Sequence, residues 1–202
     1  IVNLVKNKKI ISFIAHTSLV IGLLIILIIS VSTSINIFIL VAACCFLGYL
    51  YQGPPFRLGY QGLGEPLCWL AFGPFAYSAV LIALNPSNIY FEDIPWKVSL
   101  LLGSGPSLAT TLVLFCSHFH QISEDKKHGK NSPLVRLGAK KGSQFVPWII
   151  FTIYIFQLFT IVYGFIPVFC ILYLLSFPQA IRLIKLLKSS YAKPSAIKNC
   201  KF

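Results

Sequence analysis

Acidic side chains are nearly absent. Glu65, Glu92, Asp93, Glu124 and Asp125 are the five carboxylates in 202 residues, against seventeen lysines and arginines. Charged residues of both signs make up only 11% of the chain, where an ordinary soluble domain has about 25%. So little charge cannot cover a water-facing surface, and a hydrophobic content of 56% points to lipid as the solvent. Methionine is missing altogether. Cys44, Cys45, Cys68, Cys116, Cys170 and Cys200 include no C-x-x-C pair, which excludes a zinc knuckle and gives no sign of a disulfide framework. Five of them fall in apolar segments and read as small buried hydrophobes. No G-x-x-x-x-G-K-[ST] string occurs, and Gly62-Leu63-Gly64 is too short for a dinucleotide fingerprint. The stretch Ile1–Ile10 is too charged for a signal peptide.

What the chain has in abundance is long apolar runs. A bilayer is crossed by a helix of roughly 20 apolar residues. Ile10–Val31, Ile35–Tyr51, Pro66–Leu84, Trp96–Ser117 and Phe145–Tyr163 each come close to that length, and a shorter run, Pro167–Ile181, ends in the amphipathic basic stretch Arg182, Lys185 and Lys188. The pattern predicts an all-α, polytopic transmembrane bundle of six spans. Ser32-Thr33-Ser34 joins the first two as an antiparallel pair, and Pro54-Pro55 stops the second because proline has no N–H for the helical ladder. Gly73-Pro74 predicts a kink within the third span. The tail Ser189–Phe202 reads as a loop.

Six spans put the N-terminus, the 52–65 loop, the 118–144 loop and the tail on one side. All the lysines and arginines except Lys97 then share that side. This is the asymmetry of the positive-inside rule, so the basic side is expected to be cytoplasmic, or stromal in a plastid. The net charge of +12 is therefore read as facing anionic headgroups or phosphorylated ligands, not nucleic acid.

Two polar loops on the basic side carry the chemistry. In Tyr51–Pro66, YQGPPFRLGYQGLGEP, glycines and prolines shape an irregular backbone that can approach a ligand closely. Arg57 is a planar donor suited to phosphate or carboxylate. Glu65, at the mouth of the third span, is costly in a bilayer unless paired. In His118–Lys141, HFHQISEDKKHGKNSPLVRLGAKK, Gln121 and Asp125 are four apart and share a face if the helix continues, with Glu124 beside them. Oxygen ligands of this kind suit Mg²⁺, which takes one or two carboxylates together with substrate phosphates. Lys126, Lys127, Lys130 and Arg136 add positive charge for a diphosphate. A hydrated loop of mixed charge is the alternative reading of the same residues. His118 and His120, two apart on a helix, point away from each other and do not make a zinc site with Cys116.

The order of these parts resembles the UbiA superfamily of intramembrane prenyltransferases. HFHQISEDKKHGKNSPLVRLG is similar to the second aspartate-rich motif of that family. YQGPPFRL followed by GYQGLGEPL looks like the matching loop of the branch that acts on 1,4-dihydroxy-2-naphthoate in oxygenic phototrophs. The resemblance implies a Mg²⁺-dependent transfer: an isoprenoid diphosphate loses its diphosphate, the allylic cation is attacked by the aromatic ring, and CO₂ leaves. The product belongs to phylloquinone or menaquinone synthesis. The resemblance assigns metal binding to Asp125 and Gln121, with Glu124 assisting; diphosphate binding to Arg57, Lys130 and Arg136; and the acceptor site to Tyr51, Tyr60 and Glu65. It places the chain in a plastid membrane (thylakoid or inner envelope) or a cyanobacterial membrane.

There are departures from the family pattern. Gln121 stands where the second motif usually begins with aspartate. An N-D-x-x-D string, the family's first motif, is expected just before Ile1, and the residues Ile1-Val2-Asn3-Leu4 look like those that follow it. The chain is accordingly expected to lack N-terminal helices and a last helix, holding about six of nine usual spans. The competing expectation is a non-catalytic relative serving as a structural subunit of a photosynthetic membrane complex. A transporter is a third reading, disfavoured because no charged residue sits mid-span.

Overall fold

Six helical stretches long and apolar enough to cross a membrane organise the computed structural model, which describes residues 8–85 and 90–191. The readings placed on Ile1–Leu4, Lys6, Cys200, the centre of the 85–95 loop and the tail beyond Tyr191 lie outside the described residues. Helices α1 (Lys8–Ser32) and α2 (Ile35–Gln52) form the expected antiparallel pair, with the Ser34 hydroxyl accepting from the Asn36 N–H at the start of α2. The third span comprises α3 (Gly64–Leu70), one π-helical segment (Ala71–Phe75) and α4 (Ala76–Leu84). The fourth is α5 (Trp96–Ser117), the fifth α8 (Ala139–Val162), and the sixth a 3₁₀ stretch (Val168–Ser176) running into α9 (Phe177–Ser190).

Two boundaries differ from expectation. The fifth span begins at Ala139 instead of Phe145, because Gly138, at φ +80°, turns the chain directly into helix and the exposed Lys140 and Lys141 take up its first turn. The sixth ends in the expected amphipathic basic stretch, with Leu187 buried and Ile184 packed beside it on α8, and continues as helix through Ser190 where a loop was expected from Ser189. The predicted kink is a π segment. Pro74 has no N–H to give the ladder, the helix widens there, and the Ser107 hydroxyl of α5 donates to the Trp69 carbonyl at 2.8 Å.

Helix α5 is the hub. It packs on α3, the π segment and α4 on one flank and on α8 on the other. Small buried residues make this possible: Ser99, Gly103, Ser104, Gly105, Ser107 and Thr111. A Cβ on Gly103 would lie 3.0 Å from the Gly73 backbone and 2.9 Å from the Tyr77 ring, so the two helices touch backbone to backbone. Outward-facing side chains are large and apolar, among them Phe13, Ile28, Val31, Val113, Trp148 and Phe151. In water such a surface would be untenable; around an all-helical bundle whose backbone is satisfied internally it is a lipid boundary. The chain is an integral membrane protein.

The polar run between α5 and α8 is folded. A 3₁₀ turn (His118–His120), α6 (Ile122–Lys127) and α7 (Pro133–Leu137) cap one end of the bundle. They rest on a core of Phe115, Phe119, Leu134, Val146, Ile150 and Leu187. Gly142 in α8 leaves room for Leu134; a Cβ there would overlap the Leu134 Cδ2.

Candidate active site at the polar end of the bundle

The two loops singled out in the sequence meet at this end. The Asn131 N–H donates to the Tyr60 carbonyl at 2.7 Å, and the Arg136 guanidinium donates through Nη2 to the Gln61 carbonyl. Gly62 sits under this clasp at φ +78°, where a Cβ would lie 2.7 Å from the Asn131 carbonyl oxygen. Positive φ and close approach both demand glycine there.

Below the clasp runs a chain of buried polar groups. The Ser132 hydroxyl donates to Asp125 Oδ2 at 2.8 Å. Lys130 Nζ lies 3.6 Å from Asp125 Oδ1 and 3.3 Å from His118 Nε2. His118 Nδ1 lies 3.2 Å from Glu65 Oε1. His118, Asp125 and Ser132 are buried, and Glu65 and Lys130 are largely so. A lysine ammonium can only donate, so Nε2 of His118 is the acceptor and its proton sits on Nδ1, donating to Glu65. Asp125 therefore faces the Lys130 ammonium directly, Glu65 is linked to it only through the His118 ring, and Glu65 Oε2 is buried with no partner among the described groups.

Of the sequence-predicted residues, Asp125, Lys130 and Glu65 are thus brought together. Tyr51 is close by: its ring packs on the Gly64 backbone and lies within electrostatic reach of Glu65 and Asp125. Gln121 is the residue before α6, its Nε2 3.4 Å from His120 Nε2, and Asp125 N–H donates to its carbonyl at 2.7 Å. Glu124 is 68% exposed and faces His128, away from the buried chain. Arg57, at φ +44°, is exposed and lies 5.8 Å over the Tyr60 ring, so these two form the outer rim. Arg136 is exposed and held by the clasp. Sequence reasoning missed His118 and Ser132. Glu65 carried the signal for the first, since a carboxylate at the head of a span needs a partner.

An apolar groove of about 770 Å³ opens beside Tyr51 and runs between α1, α2, the third span and Leu114 of α5. Val41, Cys44, Cys68, Ala79 and Ala83 are among its lining residues. Its volume is in the range of lipid and cofactor sites. Among the described residues, no three of His, Cys, Asp and Glu cluster closely enough to hold a metal ion unaided.

Residues 4–199 match the UbiA prenyltransferase family. The chain belongs to that family. It is 36% identical over 203 residues to 2-carboxy-1,4-naphthoquinone phytyltransferase of the cyanobacterium Synechocystis sp., covering all of this chain and 64% of the relative. It is 45% identical over 156 residues to the chloroplastic 2-carboxy-1,4-naphthoquinone phytyltransferase of Arabidopsis thaliana, covering 76% of this chain and 41% of that protein. The chain thus spans less than two thirds of the length of each. No solved structure matches significantly. UbiA prenyltransferases generally depend on a divalent metal. Both clasped loops fall inside the UbiA match, so the polar end described above is family sequence and not an appended segment.

Proposed function

We propose that this chain forms the catalytic body of a phytyl or polyprenyl transferase acting on 1,4-dihydroxy-2-naphthoate in phylloquinone or menaquinone synthesis. The observation that carries the proposal is the junction of the apolar groove with the clasped polar loops at Tyr51, which lines the groove and whose ring packs against Gly59 and Gly64. Such a site takes an amphipathic donor with its chain in lipid and its diphosphate at the membrane surface. The names of the two relatives support a carboxylated naphthoquinone skeleton as acceptor. A quinone ring is too electron-poor to attack a cation, so its reduced, dihydroxy form is the nucleophile.

In the reaction the allylic C–O bond of the donor breaks and its electron pair leaves with the diphosphate. The ring carbon bearing the carboxylate bonds to the allylic carbon. CO₂ then departs, and the electron pair of the broken C–C bond restores aromaticity, so no added base is needed. We assign diphosphate contacts to Arg57 and Arg136 at the exposed rim and to Lys130 beneath them, supported by their positive charge at this end of the bundle. Tyr51 and Tyr60 flank the acceptor.

We assign a magnesium ion shared with substrate phosphates to the Asp125 carboxylate, which now faces Lys130 and Ser132, and to the Gln121 amide, which lies beside His120 and would turn to offer its oxygen. When bound, the ion would neutralise charge on the departing diphosphate. Glu124, facing solvent, would assist only after its side chain turns inward. The basic end is assigned to the stromal or cytoplasmic side of a plastid or cyanobacterial membrane.

The test is conversion of phytyl diphosphate and dihydroxynaphthoate to prenylated naphthoquinol by the full-length protein in membranes, abolished by a chelator and restored by Mg²⁺. Absence of product together with co-purification in a photosynthetic complex would favour the structural-subunit reading instead. A second measurement addresses the groove. Ala83 lines it near the end of the third span opposite Gly64, against which Tyr51 packs, so Ala83→Trp is expected to shift donor preference from the phytyl to a shorter prenyl chain. Unchanged chain-length preference would place the prenyl group elsewhere.

A further inference from the structure

The last two lysines of the polar run, Lys140 and Lys141, take part neither in the clasp nor in the buried chain beneath it. Both are exposed in the first turn of α8, and neither is met by a carboxylate among the described residues. Lys188, in the last turn of α9, lies at the same end of the bundle, because Leu187 beside it shares a core with Phe119, Leu134 and Val146. Trp148 stands on the same face of α8 as Lys141, about two turns or 10 Å further into the span. Its ring is 70% exposed, and Phe151, on the same side, is 59% exposed. Beside them the compact ring of Pro147 leaves an open notch of about 250 Å³, lined by these three residues. The buried residues Gly142, Val146 and Ile150 point the opposite way, into the bundle. Helix α5 separates this face from the large apolar groove, which is built from α1, α2 and the third span.

We propose that this face of α8 is a binding site for one anionic phospholipid, with its phosphate at Lys140 and Lys141 and an acyl chain in the notch at Pro147, Trp148 and Phe151. The order of side chains down the helix is the order of groups in such a lipid. Two ammoniums stand at the polar end, an indole follows where headgroups give way to chains, and a phenyl ring lies below it. Lysine stems are long enough to lift their charges to the phosphate while their methylenes stay on apolar surface. A phosphodiester carries one negative charge and needs no metal, which suits a lysine pair with no carboxylate beside it. An isoprenoid diphosphate is more highly charged, and in the reaction proposed above it is held with a metal on the other flank of α5. The lipid site stands independently of that reaction.

The experiment reads Trp148 itself. Full-length protein is reconstituted in phosphatidylcholine vesicles holding a minor fraction of lipid with brominated acyl chains, which quench the indoles they touch. The Trp148 signal is the difference between protein with and without Trp148→Phe. Brominated phosphatidylglycerol is expected to quench that signal several-fold more than brominated phosphatidylcholine at the same fraction. Lys140→Gln combined with Lys141→Gln should weaken phosphatidylglycerol association about fivefold per lysine, bringing its quenching down to the phosphatidylcholine level. Quenching by phosphatidylcholine should not change in that variant, which shows that it is still folded and seated in the bilayer. Added salt should shrink the excess with both lysines in place. Equal quenching by the two lipids in the wild type overturns the inference and makes this face ordinary lipid boundary. An excess that survives loss of both lysines overturns it as well. Displacement of the brominated lipid by an equimolar amount of phytyl diphosphate overturns it in favour of the prenyl donor.

Discussion

Asp125→Asn is expected to lower prenyl transfer by roughly a hundred- to a thousandfold, the scale of removing one preorganised charged group from an active site. The substitution keeps the shape of the side chain. It removes the charge that faces Lys130 at 3.6 Å, and leaves one oxygen where two had been engaged. Breaking a buried ion pair from one side costs about 3–5 kcal/mol, because the remaining ammonium is left enclosed without its counter-charge. Loss of activity through unfolding must therefore be separated from loss through chemistry. Ser132→Ala is the control: it removes a single hydrogen bond to the same carboxylate, expected to cost about 1.5–3 kcal/mol, and leaves the ion pair in place. Product formation and thermal unfolding, measured on both variants, should show Asp125→Asn far below Ser132→Ala in activity at comparable folded fraction. Asp125→Asn at wild-type rate would remove Asp125 from the reacting site.

Gly103→Val is expected to be the most damaging single change in the bundle away from the polar end. Any Cβ at that position meets the Gly73 backbone at 3.0 Å, and backbone cannot step aside as a side-chain tip can. The α5 crossing would have to open, with overpacking of this kind costing about 1–3 kcal/mol and β-branching adding further crowding. Gly22 in α1 provides the opposite sign. A Cβ there meets nothing within 4 Å, so Gly22→Ala should stabilise by about 0.5–1 kcal/mol through helix propensity. Unfolding temperatures in detergent should move in opposite directions for the two variants. A shift in the same direction would mean that the close crossing of α5 with the third span does not limit stability.

The spans were legible because each is a simple statement of hydropathy and length, and both helix boundaries that moved did so for reasons hydropathy does not see. Lys140 and Lys141 are polar yet helical since Gly138 starts the helix for them. Ser189 and Ser190 are polar yet helical since Leu187 and Ile184 pack on α8 from the turn before them. The polar end was legible as a list of residues and not as an arrangement. Spacing put Gln121, Glu124 and Asp125 together, but Glu124 faces solvent while Asp125 turns inward to Lys130 and Ser132. That division depends on α7 folding back under α6, a tertiary event with no local periodicity. His118 was set aside because two histidines two residues apart cannot share a ligand. The same geometry sends His118 inward, to a carboxylate more than fifty positions earlier.

The clasp between the loops has an evolutionary consequence. Both of its bonds reach main-chain carbonyls, those of Tyr60 and Gln61, so the fastening depends on where the backbone runs and not on which side chains it bears. The Tyr60 side chain is thereby left out of the fastening, whereas the Gln61 side chain still braces its own loop by donating to the Phe56 carbonyl at 2.8 Å. Position 60 can be varied in a library without unlatching the two loops, while Gly62 beside Asn131 admits no such change. The site has in this way a fixed frame with a replaceable facing, and a search for altered acceptor preference would begin at Tyr60.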